Sequence, residues 1–169
     1  IIASGPNSSL PHAQVTKRKF TNGDMITIDL TLRYKGYVSD ATRTFGLGSI
    51  SKEAVTVYEI VKESQKAGLK AVKSGRTCGS VDDACRKIIT EYNYGSHFIH
   101  STGHGIGLDV HENPNISSKN KEKMKKNMAI TVEPGIYIPK KFGVRIEDSL
   151  IVKSRADVMH KFTKDLIII

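Results

Sequence analysis

The apolar positions of this chain change period along its length. Residues 24 to 33 and 37 to 46 are two runs rich in β-branched and aromatic side chains, separated by Tyr34-Lys35-Gly36, and this pattern predicts a β-hairpin. Between Ser51 and Val72 the period lengthens. Ala54, Val57, Tyr58, Val61, Leu69 and Val72 fall close to helical spacing, with Ser51 placed to cap the N-terminus. Ser80 opens a second predicted helix, in which Asp83 completes a capping-box pattern and Val81, Ala84, Cys85, Ile88 and Tyr92 share one side. After Gly95 strand-like runs return at 97–101, 128–138, 142–152 and 166–169. Strands, then two helices, then strands again predict an α+β fold in place of a doubly wound sheet.

Length and composition narrow the function classes. At 169 residues the chain fits one domain able to bury a core without disulfides or a structural metal. No stretch approaches the roughly 20 apolar residues that span a bilayer. The first residues, Ile1 to Pro11, lack the basic and apolar regions of a secretory signal, so no membrane partner and a cytoplasmic location are expected. Cys78 and Cys85 have neither redox-pair nor zinc-finger spacing and are expected as reduced core residues. The net charge of +9 is scattered, with clusters only at Lys17-Arg18-Lys19 and from Lys119 to Lys126. The second cluster holds no aromatic residue, and no recognition motif accompanies either one, so a solvated surface is expected, with no nucleic-acid partner.

Four acids stand within the predicted strands. Asp29 follows Ile26-Thr27-Ile28, and Asp40 lies eleven residues later, on the opposite arm of the hairpin. Glu133 lies in Ala129-Ile130-Thr131-Val132-Glu133, and Glu147 in Gly143-Val144-Arg145-Ile146-Glu147. A carboxylate facing an interior must be paired, protonated or coordinated, and four together repel one another unless a divalent cation holds them. His104, within Thr102-Gly103-His104-Gly105-Ile106-Gly107, offers a nitrogen donor flanked by small residues that allow close approach. Oxygen donors with one imidazole suit two ions such as Mn²⁺, Co²⁺, Fe²⁺ or Zn²⁺, and a water between them would ionise near neutral pH, which implies hydrolysis. Two other readings fail on spacing. The glycine-rich segment lacks a phosphate-loop ending, and His111-Glu112 has Asn115 where a zincin helix needs its second histidine.

Taken together, Asp29 and Asp40, the run from His100 to Glu112, Val132-Glu133-Pro134-Gly135 and Arg145-Ile146-Glu147-Asp148 resemble the pita-bread metallopeptidases, a family that includes methionine aminopeptidase, aminopeptidase P and prolidase. The resemblance covers essentially the whole chain. His100, Tyr137, the fourteen-residue step from Glu133 to Glu147 and Arg145 favour the proline-directed branch. It implies the pita-bread fold, an antiparallel sheet with helices on its outer face, and hydrolysis of the bond between an N-terminal residue and a following proline. Two divalent metal ions, Mn²⁺ or Co²⁺ before Zn²⁺ or Fe²⁺, would be held by Asp29, Asp40, His104, Glu133 and Glu147. Glu133 would also accept a proton from the attacking water. His12 and His111 would hold the substrate carbonyl, His100 would lie near the proline pocket, and Tyr137 and Arg145 would orient ligands and substrate. His97 and His160 match nothing in the family and are expected to be structural. Because the family's catalytic domain normally begins with further helices, residues 1–169 are expected to form a partial, N-terminally truncated catalytic domain, with homodimer contacts in parts outside the chain. Methionine aminopeptidase activity, a metal-free amidine hydrolase and a non-catalytic binding module on the same fold are the alternatives.

Overall fold

A computed structural model of the chain describes residues 1–169. The predicted hairpin is present as β2 (Met25–Tyr34) and β3 (Tyr37–Gly46), in register from Met25 against Gly46 to Tyr34 against Tyr37. Its two-residue turn, Lys35-Gly36, has φ of 49° and 89°, the left-handed pair whose twist matches that of the flanking strands. The start of the chain forms a third strand, β1 (Ile2–Ser4), antiparallel to β2. Three residues are too few to show a period, so the sequence carried no strand signal there.

The first predicted helix is α1 (Lys52–Ala71), and Ser51 caps it as expected by accepting from the Ala54 amide at 3.1 Å. The second, α2 (Gly79–Glu91), departs from expectation at its start. Cys78 is the N-cap residue and makes no side-chain cap, while Ser80 turns its hydroxyl back to donate to the Thr77 carbonyl at 2.6 Å. Asp83 is exposed and closes no capping box; Asp82 is the buried acid of that turn. The helix start is set by packing, because a Cβ on Gly79 would stand 2.9 Å from the Ser118 carbonyl oxygen.

Past α2 the expected strand at 97–101 is absent. A 3₁₀ turn at Gly95–His97 leads through unpaired residues to the short β4 (Gly103–Gly105). Here Arg86 takes the Phe98 and His100 carbonyls, which a strand would have paired along a ladder. Each of the two long predicted strands divides in two. The first gives β6 (Ala129–Val132) and β7 (Gly135–Ile138), and the second gives β8 (Phe142–Arg145) and β9 (Asp148–Val152). Along the chain β4 is followed by β5 (Glu112–Ile116), an edge strand that tolerates Pro114, and β9 by β10 (Ala156–Val158). The antiparallel order β10-β9-β6-β4-β5 makes one sheet, β1-β2-β3 a second, and β7-β8 a two-stranded ribbon. The expected last strand is reduced to a single parallel bridge of Ile168 to Gly46.

The two helices cover the β6-β9 and β7-β8 strands with one apolar core that includes Val57, Val61, Val81, Cys85, Ile89, Ile130, Val132, Val144 and Leu150. Each such side chain contributes roughly 1.5–3 kcal/mol on burial. The helices approach closely at Gly68, where a Cβ would lie 2.4 Å from the Cys85 sulfur. Cys78 and Cys85 are free and buried, as expected. The architecture is α+β, with antiparallel sheets and both helices against the core.

Candidate active site

Period-2 alternation puts Asp29 and Asp40 on one face of the hairpin: Asp29 pairs with Thr42 and Asp40 with Thr31, so the two acids are diagonal neighbours. Glu133 and Glu147 are placed differently. Val132 faces Asp148 and Gly135 faces Arg145, so each arm of this hairpin has a two-residue gap in the ladder, and the two glutamates sit opposite each other in those gaps. Their backbone amides are redirected to neighbouring segments. Glu133 donates to the Thr102 carbonyl at 2.8 Å and Glu147 to the Thr42 carbonyl at 3.0 Å. His104 projects from β4 beside them, and its amide donates to the Thr131 hydroxyl at 3.1 Å.

Donor atoms of Asp40, His104 and Glu147 lie within 4.8 Å of one another. Glu133 joins through His104, with 3.2 Å between Oε1 and Nε2, while Nε2 stands 3.9 Å from Asp40. Asp29, the remaining expected ligand, is drawn to Arg145 at 2.7 Å. All the site residues expected from the sequence except Tyr137 line one open cleft of about 760 Å³. Tyr137 is buried behind the wall of the cleft.

Crowded carboxylates leave an electrostatic signature. Burial, with Asp29 next, pushes the Asp40 carboxyl up to about 6, and burial, with Glu133 and Asp40, raises Glu147 well above the usual range. Burial is the largest influence on Glu133 and would raise it too, yet the hydrogen bond from His104 together with the electrostatic pull of His100, His104 and Arg145 outweighs it and holds Glu133 below the ordinary value. Burial opposes the His104 imidazolium, but Glu133 and the Gly105 carbonyl outweigh it and raise the pKa. The Nδ1 of His104 lies 2.9 Å from the Gly105 carbonyl oxygen, which fixes the proton there and turns Nε2 to the acids. An oxygen-rich set with one oriented imidazole, whose acids resist ionising together, fits divalent cations.

A second group supports the cleft. Arg145 is nearly fully buried and donates to Asp29 at 2.7 Å, to the Tyr137 hydroxyl at 2.8 Å and to Thr42 and Pro11 at 3.2 Å each. Burial pushes the Tyr137 phenol up to about 12, so it stays neutral and can donate to His100 Nε2, 2.9 Å away. Burial holds His100 below its ordinary pKa. The His111 ring is 4.4 Å from that of His104, and burial lowers its pKa. His12 is exposed on the loop whose Pro11 carbonyl Arg145 grips. Of the two histidines left aside, His97 lies in the 3₁₀ turn, and His160 packs beside the buried Asp148 at 3.7 Å.

The sequence reading passed over the hydroxyl and ion-pair supports. Thr42 donates to Glu147 at 2.6 Å and Thr31 to Asp40 at 3.1 Å. Asp148, fully buried, meets Arg43 and Lys164 at 2.7 Å each and Gln65 at 2.9 Å, which fixes the chain just past Glu147. The available signal was the row of threonines at alternate strand positions beside the acids.

Comparison with known proteins places these features in a family. The metallopeptidase family M24 profile matches residues 1–154. An Xaa-Pro dipeptidase of Pyrococcus furiosus is 47% identical over 168 residues, 99% of this chain and 48% of that protein. The crystal structure of a dipeptidase from Pyrococcus horikoshii superposes with a TM-score of 0.98 at 45% identity, covering 100% of this chain and 48% of that one. That of an X-Pro aminopeptidase from Thermotoga maritima gives 0.97 at 40% identity, covering 100% and 48%. The chain thus spans about half the length of the curated relatives it matches.

Proposed function

The chain belongs to metallopeptidase family M24, and on that premise we propose that residues 1–169 are the metal-binding part of a catalytic domain that hydrolyses the bond between an N-terminal residue and a following proline. The observation that carries the reading is the pair of opposed gaps in the hairpin, which presents Glu133 and Glu147 side by side next to Asp40 and His104. The names of the relatives supply the substrate class, a peptide with proline at its second position.

In this reading Asp29, Asp40, His104, Glu133 and Glu147 hold two divalent ions, Mn²⁺ or Co²⁺ for preference. When bound, the ions would polarise the scissile carbonyl and make water acidic enough to ionise near neutral pH. Glu133, kept ionised by His104 and the nearby positive charges, takes up a proton on the side that lines the cleft. His111 and His12 reach into the cleft as donors for the charge that develops on the carbonyl oxygen. His100, neutral and held by Tyr137, walls the side of the cleft that would receive the proline ring.

The test is to strip the protein with chelator, titrate in Mn²⁺ or Co²⁺, and assay Xaa-Pro dipeptides, Xaa-Pro-Xaa tripeptides and a Met-Ala peptide. Metal-dependent Xaa-Pro cleavage that is lost in Glu133→Ala supports the reading, and preference for Met-Ala replaces it with methionine aminopeptidase. Failure to bind metal removes it.

A further inference from the structure

Helix α2 lies outside the cleft, yet an ion pair on it, between buried Asp82 and half-buried Arg86, contacts the segment that enters the site. Asp82 is fully buried and receives both Nε and Nη2 of Arg86, at 2.9 and 3.0 Å. The same carboxylate accepts from the Thr102 hydroxyl at 2.9 Å and from the Thr102 amide at 3.1 Å, an amide shared with the Ile116 carbonyl. Arg86 in turn donates to the Phe98 carbonyl at 2.9 Å and the His100 carbonyl at 3.0 Å, with its guanidinium 4.1 Å over the Phe98 ring. Residues 98 to 102, which form no strand, are thereby held by one planar fork and one carboxylate.

Each held point is adjacent to a site residue. The His100 carbonyl belongs to the residue whose imidazole meets Tyr137. Thr102 is two residues before His104, and its carbonyl accepts the Glu133 amide at 2.8 Å. The strand that follows is closely packed by its neighbours: a Cβ at Gly103 would stand 2.1 Å from the Thr131 carbonyl oxygen and one at Gly105 2.2 Å from that of Asn113. Thr102, at the entry to that strand, is where the Asp82 carboxylate takes hold of it. From this we infer that Asp82 and Arg86 are positioning residues, which set His104 and Glu133 through Thr102, and His100 through its carbonyl. The inference rests on the reading of His104 and Glu133 as metal ligands, and its test is separable from that reading.

The experiment compares Arg86→Lys, Asp82→Asn, Thr102→Val and Thr102→Ser with Lys87→Met, an exposed neighbour on α2. In chelated protein, Arg86→Lys is expected to speed amide exchange at Thr102 and Glu133 about tenfold while Ile130 and Leu150 in the same sheet keep their protection. It is expected to weaken Mn²⁺ binding, measured by calorimetry, by about tenfold or more, and to lower kcat with KM nearly unchanged. Asp82→Asn should behave alike, Thr102→Ser should match the parent where Thr102→Val does not, and Lys87→Met should change nothing. The inference is overturned if folded Arg86→Lys keeps both exchange and Mn²⁺ affinity within about twofold of the parent. Equal acceleration at Ile130 and Leu150 also overturns it, because that marks general softening. Should the parent chain bind Mn²⁺ without cleaving Xaa-Pro peptides, exchange and metal affinity still decide the role of the pair, independently of the peptidase reading.

Discussion

Replacing Asp40 by asparagine should stabilise the metal-free protein and destabilise the metal-loaded one. The Asp40 carboxyl is raised from 3.8 to about 6, chiefly by burial and then by Asp29. An unfolded chain releases this proton near its ordinary pKa, so between about 4 and 6 the folded state holds more protons and stability falls as pH rises. Above that window the whole penalty is present, and below it there is none. A displacement of this size corresponds to about 3 kcal/mol, which water in the open cleft reduces to about 1–2 kcal/mol. The asparagine side chain retains a carbonyl for the Thr31 hydroxyl, so the substitution removes charge with little change of shape. Urea unfolding in chelator should therefore show Asp40→Asn more stable than the parent by about 1–2 kcal/mol at pH 7.5, with no gap at pH 3.5. Saturating Mn²⁺ should reverse the order, because binding to the native state alone adds stability that grows with the logarithm of the affinity, and the variant has lost a ligand. A variant less stable than the parent in chelator at both pH values, or a gap that ignores pH, would refute the electrostatic account.

Further outcomes follow from single contacts. Asp148→Asn leaves Arg43 and Lys164 facing a neutral amide in a fully buried position and should cost about 3–5 kcal/mol in denaturant unfolding. Gly103→Ala drives a methyl into the Thr131 carbonyl and should lower Tm by several degrees and weaken metal binding together, as read by thermal melts with and without Mn²⁺. Tyr137→Phe removes the hydroxyl between Arg145 and His100; unfolding stability should drop by about 1–2 kcal/mol, and a loss in kcat/KM greater than the loss in metal affinity would place its effect on substrate.

Local signals survived into the structure and non-local ones did not. The hairpin over Asp29 and Asp40 and the capped start of α1 depend on residues a few positions apart, so period and turn chemistry foretold them. Glu133 and Glu147 were visible as acids within strands, but the gaps that bring them together are enforced by Thr102 and Thr42, far away in sequence. The start of α2 was misread because Ser80 spends its hydroxyl on Thr77 and the loop at Ser118 fixes Gly79, neither of which a capping pattern registers. Strands β1, β5 and β10 are too short to carry a period. The roles of His12, His100 and His111 came through family resemblance, since no spacing argument points an isolated histidine at a cleft.

The matched gaps in the Glu133–Glu147 hairpin also decide which changes of length the chain can absorb. The arms meet at the turn between Ile138 and Phe142, and residues are paired outward from it with equal numbers on each side. An insertion at that tip lengthens the loop and leaves Glu133 opposite Glu147. One residue added within either arm slides one glutamate past the other and sends its side chain to the far face. In this hairpin the tip can lengthen freely while an added residue in one arm needs a bulge to absorb it, so the spacing that looks like a sequence motif is a counting rule imposed by the ladder.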